Sequence, residues 1–113
     1  MGLDFSHCEA RWAYSGFHRF RRRLAEMIGF DLESMKGFGG ERSWDEIEDP
    51  IVPFLNHSDC DGILTAVECS LVYPRLEQLI QHWNDTDMDK IRALDLIEGM
   101  KICVENNENL EFI

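Results

Sequence analysis

Two long apolar patterns at helical spacing, parted by Asn84-Asp85-Thr86-Asp87, constrain this chain more than any other feature. After Thr65, Val67, Leu71, Val72, Leu76, Leu79, Ile80 and Trp83 recur at intervals that place them on one side of a helix. Beyond the polar break, Met88, Ile91, Leu94, Ile97 and Val104 supply the apolar face of a second helix, over about 87–104. The break itself suits a turn and an N-cap, and its carboxylates suit the positive end of the helix that follows. Pro74 has no amide hydrogen to give, so it predicts a kink or a division near Val72-Tyr73.

Weaker signals organise the rest. Ser15 is a plausible N-cap for a helix over about 16–29, with Phe17, Phe20, Leu24, Met27 and Ile28 as its stripe and Gly29 as its stop. Arg19, Arg22 and Arg23 project mainly away from that stripe. Lys36-Gly37-Phe38-Gly39-Gly40 lacks the Gly-Lys-Ser/Thr ending of a phosphate-binding loop and reads as a flexible connection. A short helix is expected within 45–55, limited by Pro50 and Pro53. Leu3 to His7 alternates apolar and polar residues, as does Leu110 to Ile113, so each end predicts a strand. The expected fold is one predominantly helical α+β domain over 1–113. It has three to four helices and a small antiparallel strand pair formed by the termini.

Charge narrows the choice of partners. The chain carries a formal net charge of −11, yet residues 1–23 are net +3 and the remainder net −14. Neutralising DNA phosphates requires clustered cations, so duplex nucleic acid is disfavoured and a basic protein is favoured. No apolar run approaches the ~20 residues that span a bilayer, and the N-terminus lacks the basic and apolar regions of a signal peptide. Cys8, Cys60, Cys69 and Cys103 are spread along the chain. Together these point to reduced thiols and a cytoplasmic location.

The chemistry-bearing stretch is His57-Ser58-Asp59-Cys60-Asp61-Gly62-Ile63-Leu64-Thr65-Ala66-Val67-Glu68. Counted from His57, Asp falls at positions 3 and 5, Gly at 6, an aliphatic residue at 8 and Glu at 12. The stretch resembles a degenerate EF-hand calcium loop. The resemblance implies that Asp59, Asp61, the Ile63 carbonyl and Glu68 are ligands, with His57 and Thr65 peripheral. His57 stands where the pattern wants Asp, which implies weak calcium affinity. The same residues have a purely local reading: Thr65-Ala66-Val67-Glu68 is a capping box and Asp61-Gly62 a turn pair. Zinc is disfavoured. His57 and Cys60 have suitable donors, but His7-Cys8 or Cys69 completes them with poor spacing.

Elsewhere, Trp12 to Phe20 is dense in aromatic and basic residues. Tyr14, His18, Arg19 and Arg22 form a candidate ligand or partner surface. His18 and Arg22 share a helix face at a spacing that suits an anion. Ser15 and His18 lack an acid partner, and nothing else specifies catalysis. Tyr14-Ser15-Gly16-Phe17 with Arg19-Phe20-Arg21, and Pro53 through Gly62, give most of the chain a resemblance to small bacterial and phage proteins of unassigned activity. The expected function is therefore that of a non-enzymatic accessory or interaction protein that binds calcium weakly. The alternatives are an acidic inhibitor or immunity-type protein for a basic partner, and an enzyme using the aromatic-arginine segment as a small-ligand pocket.

Overall fold

The computed structural model describes residues 2–113 as four helices and two small antiparallel sheets. Strand β1 (Gly2–Asp4) pairs with β2 (Arg11–Ala13), in register Leu3 to Trp12. Helix α1 follows directly (Tyr14–Met27), and α2 is a single turn (Val52–Leu55). Strand β3 (Ile63–Leu64) leads into α3 (Ala66–Ile80). Helix α4 (Met88–Asn106) then leads into β4 (Leu110–Glu111), which pairs with β3.

The terminal segments meet as their alternation predicts. Phe5 and Phe112 form an antiparallel bridge between the two sheets, and their rings lie 4.9 Å apart. The Ser6 amide donates to the Glu111 carbonyl at 3.0 Å, and the Ile113 amide donates to that of Asp4 at 2.8 Å. Each terminal strand also has a partner that periodicity did not reveal.

Trp12 is buried in β2 and stacks on Phe20 of α1 at 4.8 Å. Phe5, Phe17, Phe54 and Phe112 complete an aromatic centre through mostly edge-on or tilted contacts. The aromatic density of the N-terminal segment is thus largely core. Helix α1 starts two residues earlier than a cap at Ser15 would place it. Its N-cap is Ala13, which makes no side-chain cap bond, because the β2 strand delivers the chain straight into the first turn. At its other end the Gly29 amide bonds to Glu26 and the Phe30 amide to Ala25. That pair of bonds is a Schellman closure.

The helix expected within 45–55 resolves into a single 3-10 turn at Trp44–Glu46 and the turn α2. Asp49 intervenes by accepting the Ile51 amide, and Pro50 and Pro53 cannot donate. Helix α3 is not divided at Pro74, which lies on its exposed side.

The buried faces of α3 and α4 keep Val72, Leu76, Leu79, Ile80 and Ile97 of the expected ones and correct the rest. Val67 and Leu71 are 70% and 51% exposed, and Met88, Ile91 and Leu94 also face outward. Inside are Cys69, Val72, Leu76, Leu79 and Ile80 of α3, facing Ala93, Leu96, Ile97, Met100 and Cys103 of α4. The Cys69 and Cys103 thiols meet there, and burial pushes Cys69 up to about 12.

Candidate functional site

The 56–68 loop packs around His57. The ring stacks on Phe112 at 3.8 Å between centroids. Its Nε2 lies 2.7 Å from the Ile63 carbonyl oxygen and its Nδ1 lies 2.9 Å from that of Ser58. A ring carrying both protons donates to both carbonyls. Gly62 turns the chain at φ +96°, where a side chain would be strained, and a Cβ there would come within 3.1 Å of the His57 ring.

The remaining loop residues are also engaged. Glu68 accepts the Thr65 amide at 2.9 Å, and Thr65 Oγ1 accepts the Glu68 amide at 3.2 Å, so the capping box is complete. Ser58 Oγ donates to Asp61 at 3.1 Å. Of the expected calcium ligands, the Ile63 carbonyl is taken by His57 and one Glu68 oxygen by the helix start. Asp61 is tied to Ser58, and Asp59 lines a neighbouring cavity. His57 and Cys60 are not joined by His7, Cys8 or Cys69 into a metal-ligand cluster among the described residues.

His18 and Arg22 do hold an anion, but it is the chain's own. Both reach Glu33 Oε1, Arg22 at 2.8 Å and His18 at 3.5 Å. Arg22 first, and His18 second, hold the Glu33 carboxyl below its ordinary value. Tyr14 packs against the core and Arg19 is exposed, so the four residues form no common pocket.

The residue that sequence reasoning passed over is Arg21, which is only 2% exposed. Its Nη1 donates to the carbonyls of Phe54, Leu55 and His57, which ties α1 to the end of α2 and the start of the loop. Phe17 and Phe38 flank the guanidinium at 4.6 and 5.2 Å from their ring centroids. Burial lowers its pKa from 12.5 to about 10, against the opposing charge of Asp59, so it stays cationic at neutral pH. A cavity of about 400 Å³ opens over it, lined by His18, Phe38, Asn56 and Asp59 among others. A signal was present in the sequence: Arg21 lies four residues after Phe17 and three before Leu24, on the apolar stripe of α1.

A second feature is the outer face of α4. Met88, Ile91, Leu94 and Ile102 are each 41–54% exposed and share that face with Glu98 and Glu105. No family model, curated protein or solved structure matches this chain. No helix among the described residues is long and apolar enough to cross a membrane.

Proposed function

We propose that this chain is a non-enzymatic interaction protein of the cytoplasm, whose α4 outer face receives a basic, amphipathic segment of a partner protein. The supporting observation is the exposed row Met88, Ile91, Leu94 and Ile102, set among carboxylates. Lone exposed aliphatics need no explanation, but a row along one helix, rimmed by acids, suits a partner with matching apolar and cationic stripes. The formal charge of −11 favours the same partner by long-range attraction. Four free cysteines suit a reducing compartment. Calcium belongs to this reading only as a weak ligand, because the ion must displace His57 from the Ile63 carbonyl and Glu68 from the Thr65 amide.

The test is titration of the labelled protein with a synthetic leucine-lysine helical peptide, followed by amide shifts. Shifts along 88–102 are expected, with affinity falling as salt rises and lost in the double variant Ile91→Asp, Leu94→Asp. Both positions are exposed, so that variant should keep the fold. Binding that ignores the double variant overturns the proposal. Binding that requires calcium transfers the interface to the 57–68 loop.

A further inference from the structure

We infer that the cavity over Arg21 is a binding site for a small amphoteric ligand of the free amino-acid class. Its carboxylate would sit on the guanidinium and its ammonium on Asp59. This site is separate from the α4 face and does not depend on the function proposed for it.

The guanidinium carries the argument. Arg21 is 2% exposed, and a buried cation is costly unless an anion or a full set of acceptors accompanies it. Its acceptors are crowded onto one nitrogen: all three carbonyls lie on Nη1. Nε is buried and has no hydrogen-bond partner among the described residues. Capping the end of α2 therefore draws on Nη1 and leaves Nε without an acceptor. The nearby carboxylate, Asp59, acts on Arg21 by charge without a hydrogen bond. Glu33, on the His18 side, is already spent on Arg22 and His18.

The surroundings select the ligand. A buried cation and a carboxylate on one small cavity leave a phosphate dianion or a simple cation with one charge matched and one opposed. They complement a molecule that carries both charges. Phe38 gives one apolar wall, and the Asn56 side chain, on the rim, offers both a donor and an acceptor. A volume of about 400 Å³ is at the small end of ligand pockets and fits a molecule of this size.

The proposal is tested by amide-shift titration of the full chain with free L-amino acids drawn from each side-chain class, at matched ionic strength. Saturable shifts at Gly37, Phe38 and Asn56 to Asp59 are expected for at least one of them. Its carboxamide derivative, which has nothing to offer Arg21, should bind about tenfold more weakly or worse. The N-acetyl derivative should also lose affinity. In Asp59→Asn the free and N-acetylated forms should become equivalent while the spectrum stays folded. That variant carries the test, because replacing Arg21 also removes the ties to α2. No saturable shift at these residues for any amino acid, equal binding of the carboxamide, or an unchanged preference in Asp59→Asn overturns the inference.

Discussion

Arg23 shows how one exposed-looking residue can fasten two helices. It donates to Asp87 at 2.7 Å and to Asp89 at 2.8 Å, while its guanidinium lies 3.7 Å from the centre of the Trp83 ring. These contacts join the end of α1 to the start of α4. Arg23→Ala should cost about 1–2 kcal/mol in urea unfolding, between the values of an exposed and a buried pair. The cost should depend on pH. Hydrogen bonding from Arg23 lowers the Asp87 carboxyl below its ordinary 3.8. A depressed carboxyl contributes stability that is fully present above its unfolded value and is lost as pH falls through the folded one. The gap between wild type and Arg23→Ala should therefore hold from about pH 7 to pH 5 and close below 3.8. A gap that is constant into acid would assign the stabilisation to Trp83 packing instead. His57 permits the opposite manipulation. His57→Asp places a carboxylate at the first loop position and frees the Ile63 carbonyl, at the cost of the stack on Phe112. Calorimetric titration of chelator-treated protein should show calcium binding that is tighter in the variant, with a Kd of roughly millimolar order. Equal heats in the two proteins would mean that the imidazole is not what keeps calcium out.

Among the elements, α4 packs most extensively against α3. Gly99 sits in its interior, where alanine is ordinarily better by about 1 kcal/mol. A Cβ at Gly99 would lie 2.9 Å from Cys8 Cβ and 3.3 Å from the His7 carbonyl oxygen, so the turn after β1 would have to move. Gly99→Ala should therefore destabilise the protein by about 1–3 kcal/mol despite its helix preference, as read by thermal or urea unfolding. A neutral or stabilising result would show that the turn gives way easily. The same helix shows where the sequence was legible. Thr65 and Asp87 marked the starts of α3 and α4 because a cap is a local bond, formed with an amide two or three residues away. The facing sides were legible in part: Val72, Leu76, Leu79, Ile80 and Ile97 are buried as their spacing implies, but the small residues among them were not read. Cys69, Ala93, Gly99 and Cys103 occupy the buried side because close approach needs small residues, whereas large aliphatics such as Val67 and Ile91 dominate any apolar pattern. The loop was half legible. The Gly62 turn and the Thr65–Glu68 box follow from near neighbours, but the placing of His57 on Phe112 depends on a contact across 55 positions of sequence. Arg21 was readable by helical periodicity, yet its cavity depends on segments 37–38 and 56–59 converging on it.

At the scale of the whole molecule, surplus negative charge competes with these local attachments. The chain carries −11 in a body of 36 × 30 × 29 Å. At an ionic strength of about 0.01 M the screening length is ~30 Å, so each surface carboxylate repels nearly every other. At about 0.15 M it falls to ~8 Å, and repulsion is confined to neighbours. The ion pairs that fasten the fold are much shorter than either length. Arg23 to Asp87 is 2.7 Å and Arg75 to Asp49 is 3.0 Å, with both aspartates largely shielded. Salt therefore weakens the destabilising interactions more than the stabilising ones. The Tm should rise between these two conditions, and a gain of about 1 kcal/mol would appear as roughly 4 °C for a domain of this size. Sodium chloride and calcium chloride at equal ionic strength separate screening from binding: equal rises mean screening alone, and an excess for calcium that grows in His57→Asp locates an ion at the 57–68 loop. A Tm that falls with salt would mean that the short ion pairs outweigh the repulsion. The acidic surface would then be held together by its own cations rather than left available to those of a partner.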